Sequence, residues 1–151
     1  IKTIDEKDLF NFFKEFVSKY KKPIDHAKEN ILLKSMSFLK NKAKTLEDIW
    51  NNAQYIIKDE IKIGTDDKKL IDAFSKKVII DFISEYEKLS SLSREKLEPI
   101  IKSLIVKHKT NFKGVGQPLR IALVGSRFGP GLYDVILSLD KAEVVKRLKK
   151  I

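Results

Sequence analysis

Apolar residues recur with a helical period along most of the chain. One stripe near the start has members three or four positions apart, namely Leu9, Phe13, Phe16 and Tyr20. A second stripe follows Pro23 and comprises Ile31, Leu32, Met36 and Leu39. The period of two that is typical of strands is nearly absent, and we find no internal repeat. The pattern predicts an all-α protein without a significant sheet.

Capping residues predict the starts of two further helices. Thr45 precedes an apolar-periodic segment and Asp48 follows three residues later, as in a capping box. After Gly64, the adjacent Asp66 and Asp67 predict the start of a long helix, because negative charge stabilises a helix N-terminus. That helix carries the stripe Ile71, Phe74, Val78, Phe82 and Tyr86.

A short polar segment, Ser90–Ser93, interrupts the helical pattern after this stripe. We interpret it as the boundary between two small helical subdomains, residues 1–90 and 91–151. The second subdomain is predicted to begin with a helix on the stripe Leu97, Ile101, Leu104 and Ile105.

Glycine and proline divide the rest of the chain. Loops are predicted at 110–117 and 125–131, and Pro118 is placed in the first turn of a short helix between them. Helices are predicted at 132–139 and 141–150. Asp140, with Glu143 three residues later, is the predicted cap of the last one.

Positive charge is concentrated in this glycine-rich part. The chain carries a net charge of +10, of which +8 lies from Pro99 to Ile151. Between Ile100 and Tyr133 there are six Lys or Arg and no Asp or Glu. Such a segment predicts an anionic partner, and its glycines favour nucleic acid because exposed backbone groups can approach bases closely.

The side chains near the second loop are suited to single-stranded RNA. Bases that have left a helix stack on aromatic rings or guanidinium planes, and this region offers Arg120, Arg127, Phe128 and Tyr133. Two alternatives remain open. The charge serves only to solvate a packed core containing Leu119, Ile121, Leu123 and Leu132, or the chain is a helical protein–protein interaction module that binds an acidic partner.

Several other classes have little support. The chain has no cysteine, which excludes disulfides, thiol catalysis and zinc ribbons and fits a cytoplasmic location. No apolar run is long enough to predict a membrane span. The histidines, His26 and His108, are far apart in sequence, so we predict no catalytic residue and no metal site. The start at Ile1, without Met or a leader, suggests a piece of a longer protein.

Two segments resemble the C-terminal part of bacterial glutamyl-tRNA synthetases. One reads QPLRIALVGSRFGPGLYDVILSLDKAEVVKRLKK, and its matching positions are Pro118, Leu119, Arg120, Ala122, Leu123, Gly125, Gly129, Pro130, Leu132, Arg147 and Leu148. The other reads LLKSMSFLKNKAKTLEDIWNNAQYI, and its matching positions are Ala43, Lys44, Thr45 and Leu46, preceded by Lys42 where the family usually has Arg. The family's His-Ile-Gly-His and Lys-x-Ser-Lys catalytic signatures are absent.

The resemblance implies an anticodon-binding region made of two helical subdomains. Its partner would be the anticodon loop of a glutamate-accepting tRNA, and the chain would bind without catalysing. ATP and Mg²⁺ would belong to an upstream catalytic domain of a monomeric parent enzyme, so no cofactor and no small-molecule site is expected in this chain.

The resemblance also implies which residues contact tRNA. The turn Gly129–Leu132 corresponds to the part of the family that touches anticodon bases, and Lys42–Thr45 to a region near the first anticodon base. The predicted tRNA-binding residues are Arg127, Gly129, Pro130, Gly131, Leu132, Arg120, Lys42, Lys44 and Thr45. Lys42 in place of Arg lacks a planar, bidentate donor, which weakens base discrimination there.

Overall fold

The computed structural model describes residues 3–58 and 60–151, and within these ranges it contains helices and no strand. The predicted all-α fold is confirmed. A 3₁₀ turn, Lys40–Lys42, follows the second helix. The helices are α1 Glu6–Tyr20, α2 His26–Leu39, α3 Leu46–Asn52, α4 Gln54–Ile57, α5 Thr65–Lys68, α6 Ala73–Glu87, α7 Arg94–Lys107, α8 Phe112–Val124, α9 Leu132–Ser138 and α10 Lys141–Lys149.

The chain forms two compact units, Ile1–Glu60 and Ile61–Ile151, which we call the first and second unit. This division differs from the predicted boundary between residues 90 and 91. Ser90–Ser93 is the connection between α6 and α7, and these two helices pack on each other and on α8 within the second unit. The polar segment Ser90–Ser93 therefore connects two helices of the same unit.

In the first unit, α1 packs against α2 and α3, and α2 also packs against α4. The buried face of α1 is formed by Leu9, Phe10, Phe13 and Val17. Tyr20, which the predicted stripe included, is 64% exposed. The capping box before α3 is confirmed, because the Thr45 hydroxyl accepts the Asp48 N–H at 3.1 Å and the Asp48 carboxylate accepts the Thr45 N–H at 3.1 Å.

The predicted start of the long helix at Asp66 and Asp67 is wrong. These residues belong to the single turn α5, and α6 begins at Ala73. Asp72 is the N-cap of α6, since its carboxylate accepts the backbone N–H of Ser75 at 2.8 Å and the Ser75 hydroxyl at 2.9 Å. Two bonds to one carboxylate oxygen fix the helix start more strongly than charge alone.

The loop predicted at 110–117 is also wrong, because α8 begins at Phe112. Asn111 caps this helix through a bond from the Gly114 N–H to its side-chain oxygen at 2.9 Å. Pro118 lies inside α8 and not in its first turn. A proline there removes one backbone hydrogen bond and costs about 3 kcal/mol in an isolated helix, so tertiary packing must offset it.

Helix α8 is the centre of the second unit and contacts α6, α7, α9 and α10. Its buried apolar residues include Val115, Leu119, Ile121, Ala122 and Leu123. A Cβ at Gly116 would lie 3.2 Å from the Phe112 ring and 3.4 Å from a Leu132 methyl, so glycine permits this close packing. The core role of Leu119, Ile121, Leu123 and Leu132 is thus observed in the structure.

The last helix joins the core through a buried arginine. Arg147 is 6% exposed, and its Nη1 donates to the Leu123 carbonyl at 2.7 Å at the C-terminal end of α8. Its Nε donates to Glu143 at 2.9 Å. Asp140 is the N-cap residue of α10, as predicted, but its side chain makes no capping bond. Glu143 balances the charge of Arg147 instead.

Candidate nucleic-acid interface

The predicted loop at 125–131 connects α8 to α9, and two of its glycines have positive φ. Gly125, with φ of 90°, ends α8, and a Cβ on it would lie 2.6 Å from the Lys62 carbonyl oxygen. Gly129 has φ of 140°, a conformation that other residues rarely adopt. The path of this loop therefore depends on glycine at both positions.

Arg127 is held by contacts from three directions. Its backbone N–H donates to the Asp67 carboxylate at 3.3 Å, and its Nε lies 3.5 Å from the same oxygen. Its carbonyl accepts a bond from Nη1 of Arg120 at 3.2 Å. Its guanidinium lies 5.2 Å from the centroid of the Phe128 ring. These contacts position Arg127 without the help of a ligand, which favours binding because less freedom has to be lost.

Among the described residues, no carboxylate forms an ion pair with the Arg120 guanidinium. Its Nε is buried and makes no hydrogen bond within the part of the chain that the structure describes. Burial lowers the pKa of its guanidinium. A partly desolvated cation of this kind is typical of a ligand site, where an acceptor or an anion completes its hydrogen bonds.

A cleft of about 680 Å³ lies beside this loop. Its lining, as far as the described residues form it, includes three cationic side chains, Lys113, Arg120 and Arg127, and no carboxylate. Phe128 and Phe112 also line it and are 70% and 45% exposed. The remaining lining residues are Leu70, Gly116 and Gln117. The surface combines aromatic rings with positive charge, as single-strand binding sites do.

The other predicted residues of this loop are less accessible. Pro130 is buried, and Leu132 is 2% exposed at the start of α9. Gly131 is the N-cap of α9. The Pro130 and Leu132 side chains pack inside the second unit, so they shape the turn that presents Arg127, Phe128 and Gly129.

The three remaining predicted residues lie in the first unit. Lys42 ends the 3₁₀ turn, and Lys44 and Thr45 lead into α3; all three are exposed. The Thr45 hydroxyl is already used as the helix cap. The backbone N–H groups of Lys44 and Thr45 lower the pKa of Asp48 by donating to its carboxylate at 2.9 and 3.1 Å.

Of the described residues that line this cleft, none is a histidine. His108 follows α7 and its Nε2 lies 2.8 Å from Asp81, which also contacts the Lys107 ammonium at 3.1 Å. His26 is exposed and lies 3.3 Å from Glu29. Within 3–58 and 60–151, no group of three or more His, Asp or Glu residues is placed to hold a metal ion.

Sequence reasoning missed Asp67 and Phe112 as members of this site. Asp67 contacts a residue 60 positions later, and no local pattern reveals such a pair. Phe112 falls in the segment predicted as a loop, although Asn111 before it is a residue type that favours a helix N-cap.

Comparison with known proteins agrees with this geometry. The profile of the family described as "Anticodon binding domain" matches residues 7–151. The chain belongs to this family. The resemblance that the two sequence segments indicated is therefore confirmed for this anticodon-binding domain.

Named relatives of this domain are glutamate–tRNA ligases. That of Pelagibacter ubique (strain HTCC1062) is 53% identical over 148 residues, which are 98% of this chain and 32% of the relative. That of Thermodesulfovibrio yellowstonii is 26% identical over 154 residues, covering 100% of this chain and 33% of the relative. This domain thus spans about a third of the length of these curated relatives.

A solved structure shares the fold of this domain. The crystal structure of a glutamate tRNA ligase from Elizabethkingia meningosepticum CCUG26117, in complex with its amino acid, matches with a TM-score of 0.79 at 20% identity. The match covers 97% of this chain and 29% of that one.

Of the helices that the structure describes, none has the length and apolar character needed to cross a membrane.

Proposed function

We propose that this domain binds the anticodon of a glutamate-accepting tRNA as part of a glutamate–tRNA ligase. Family membership and the names of the relatives support this assignment. The observation that carries it is the display of Arg127 and Phe128 on a glycine-dependent loop beside the unneutralised Arg120. Guanidinium and aromatic planes are the groups that recognise unstacked RNA bases.

Electrostatics supplies most of the affinity in this proposal. Lys and Arg release condensed counterions when they neutralise phosphates, which makes binding depend steeply on salt. The acid-free stretch from Ile100 to Tyr133 supplies six such residues. Arg120 and Arg127, which lie close together in the second unit, then contact the bases and the phosphates that adjoin them, while Gly129, Pro130, Gly131 and Leu132 determine the shape of the loop.

The first unit supplies a second contact in this proposal. Lys42 and Lys44 are exposed beside the start of α3, where they reach RNA, and Thr45 fixes the turn that carries them through its capping bond. Lys42 has a compact ammonium group in place of a planar guanidinium. It is therefore suited to binding a phosphate and discriminates weakly between bases.

The parent ligase would attach glutamate to the tRNA with ATP and Mg²⁺, which by resemblance belong to the part of the enzyme outside this chain. This domain would position the tRNA and would not catalyse. We further propose that the parent enzyme acts as a monomer in the cytoplasm. Size-exclusion chromatography of the full ligase, with and without tRNA, tests the monomeric state.

The direct test is binding of the 151-residue chain to transcripts of glutamate tRNA and to transcripts with one anticodon base changed. Titrations at about 50 and 200 mM salt separate phosphate contacts from base contacts, because only the former depend steeply on salt. We expect at least one anticodon change to weaken binding about tenfold, since a base contact is worth roughly 1–3 kcal/mol.

Equal affinity for all anticodon variants would contradict the proposal. Tighter binding to an acidic peptide than to tRNA at the same salt would favour the protein–protein interaction module. A transcript with the glutamine anticodon belongs in the same series, because it measures how strictly this domain selects glutamate tRNA.

A further inference from the structure

Two phenylalanines line the cleft of the second unit at high exposure, Phe128 at 70% and Phe112 at 45%. Leu70 adds further exposed apolar surface at 36%. Single exposed apolar residues are ordinary, but several gathered in one concave surface indicate a binding site. The apolar part of the ligand is therefore expected to be large enough to cover more than one side chain.

The exposed Phe128 ring lies beside a guanidinium, and its backbone is anchored by a hydrogen bond within the loop. The Arg127 guanidinium lies 5.2 Å from its centroid, and the Phe128 N–H donates to the Ser126 hydroxyl at 3.1 Å. Arg127 is itself held by Asp67. An exposed aromatic ring beside a guanidinium is suited to stacking, because a flat partner can cover its open surface.

The rest of the lining is complementary to a nucleotide. Lys113, Arg120 and Arg127 provide positive charge for a phosphate, and the Gln117 amide can both donate to and accept from a base edge. Gly116 also lines the cleft and lets the Phe112 ring pack closely over it. A cleft of about 680 Å³ lies within the size range of small-molecule sites.

We propose that this cleft holds one unpaired nucleotide of single-stranded RNA, with its base stacked on Phe128 and in contact with Phe112. This proposal rests on the proposed function and names residues that carry base recognition within it. Gln117 bonds the base edge, and Arg127 and Lys113 contact the adjoining phosphates. Stacking tolerates every base, so Phe128 supplies affinity at one loop position and Gln117 supplies the preference there.

The test is a double-mutant cycle between the protein and an anticodon stem-loop RNA. One partner is the chain with Phe128→Ala, and the other is the stem-loop with a single abasic nucleotide placed at each loop position in turn. Loss of one stacked base weakens binding about 5- to 150-fold. We expect one loop position at which the abasic change and Phe128→Ala weaken binding by a similar factor, and together by no more than either alone.

Two control variants make the result specific to stacking. Ile80→Ala removes an apolar side chain that is 64% exposed on α6 of the same unit, and it should leave the dissociation constant within about twofold. Phe128→Trp keeps a flat ring and should restore binding. Because Phe128 is exposed, its variants should keep the far-ultraviolet spectrum and melting temperature of the natural chain.

The outcomes separate this proposal from the function on which it rests. If the natural chain binds the stem-loop but the two effects multiply independently at every loop position, the stacked nucleotide is wrong and the anticodon-binding function stands. If an acidic peptide competes for the cleft while abasic changes have no effect, its ligand is a protein. If the natural chain does not bind the stem-loop at all, both proposals are overturned.

Discussion

The carboxylate of Asp67 accepts a hydrogen bond from the backbone N–H of Arg127 at 3.3 Å, across 60 positions of sequence. The same oxygen lies 3.5 Å from the Arg127 Nε. One acidic residue on α5 thus fixes the backbone and orients the side chain of the basic loop. This arrangement explains how an otherwise acid-free segment keeps an ordered arginine at its surface.

Replacing Asp67 with Ala should loosen this loop. The lost bonds to a charged acceptor are partly exposed, so we expect the second unit to lose about 1 kcal/mol of stability. The Arg127 amide should exchange with solvent faster, which hydrogen exchange followed by NMR measures. Asp66→Ala is the matched control, because Asp66 is the exposed neighbour on the same helical turn. Equal exchange rates in both variants would contradict the role of Asp67.

Replacing Arg127 with Ala should weaken tRNA binding and reduce its salt dependence. If Arg127 contacts a phosphate, the slope of log K against log salt should decrease in magnitude by roughly 0.7–0.9. Arg127→Lys should restore the slope but not the anticodon preference, since lysine keeps the charge and lacks the planar fork. Titrations at several salt concentrations measure both quantities. An unchanged slope for Arg127→Ala would exclude a phosphate contact.

Replacing Gly125 with Ala should destabilise the second unit. The residue has φ of 90°, and the added Cβ would lie 2.6 Å from a backbone oxygen that cannot rotate away. We expect a loss of about 2 kcal/mol or more, measured by urea unfolding with amide probes in α8 and α10. Gly64→Ala is the control, because a Cβ there meets only an ordinary contact at 3.5 Å. A loss of similar size in both variants would contradict this reasoning.

Acid should weaken the start of α3 through Asp48. Two backbone N–H groups hold the pKa of this carboxyl below its ordinary value of 3.8. Because the folded pKa is the lower one, its contribution to stability is fully present above that ordinary value and is lost as the pH falls through the folded pKa. Asp48→Asn should therefore flatten the acid dependence of unfolding.

Trp50 lies in α3 and is the single tryptophan of the chain, so its fluorescence reports on this helix during acid and urea titrations. Asp66→Asn serves as the control for a general loss of negative charge. If the natural chain and Asp48→Asn lose stability in parallel below pH 4, Asp48 does not contribute in this way.

Sequence alone determined the features that depend on neighbours within about four residues. The helical periods, the capping box of Thr45 and Asp48, and the interruption of the helical pattern at Ser90–Ser93 all follow from such local contacts. The concentration of positive charge and the family resemblance also follow from the amino-acid sequence. Local capping and periodicity act within one helical turn, so they appear directly in the order of residues.

Tertiary packing determined where helices begin and end at positions where local sequence preferences favour a different boundary. Pro118 would favour a helix start, yet packing of α8 against four other helices keeps it inside a longer helix. Asp66 and Asp67 would favour the start of a long helix, yet Asp67 instead binds the distant loop. Burial of α8 and pairing across 60 residues depend on which segments meet in three dimensions, and no local pattern encodes that meeting.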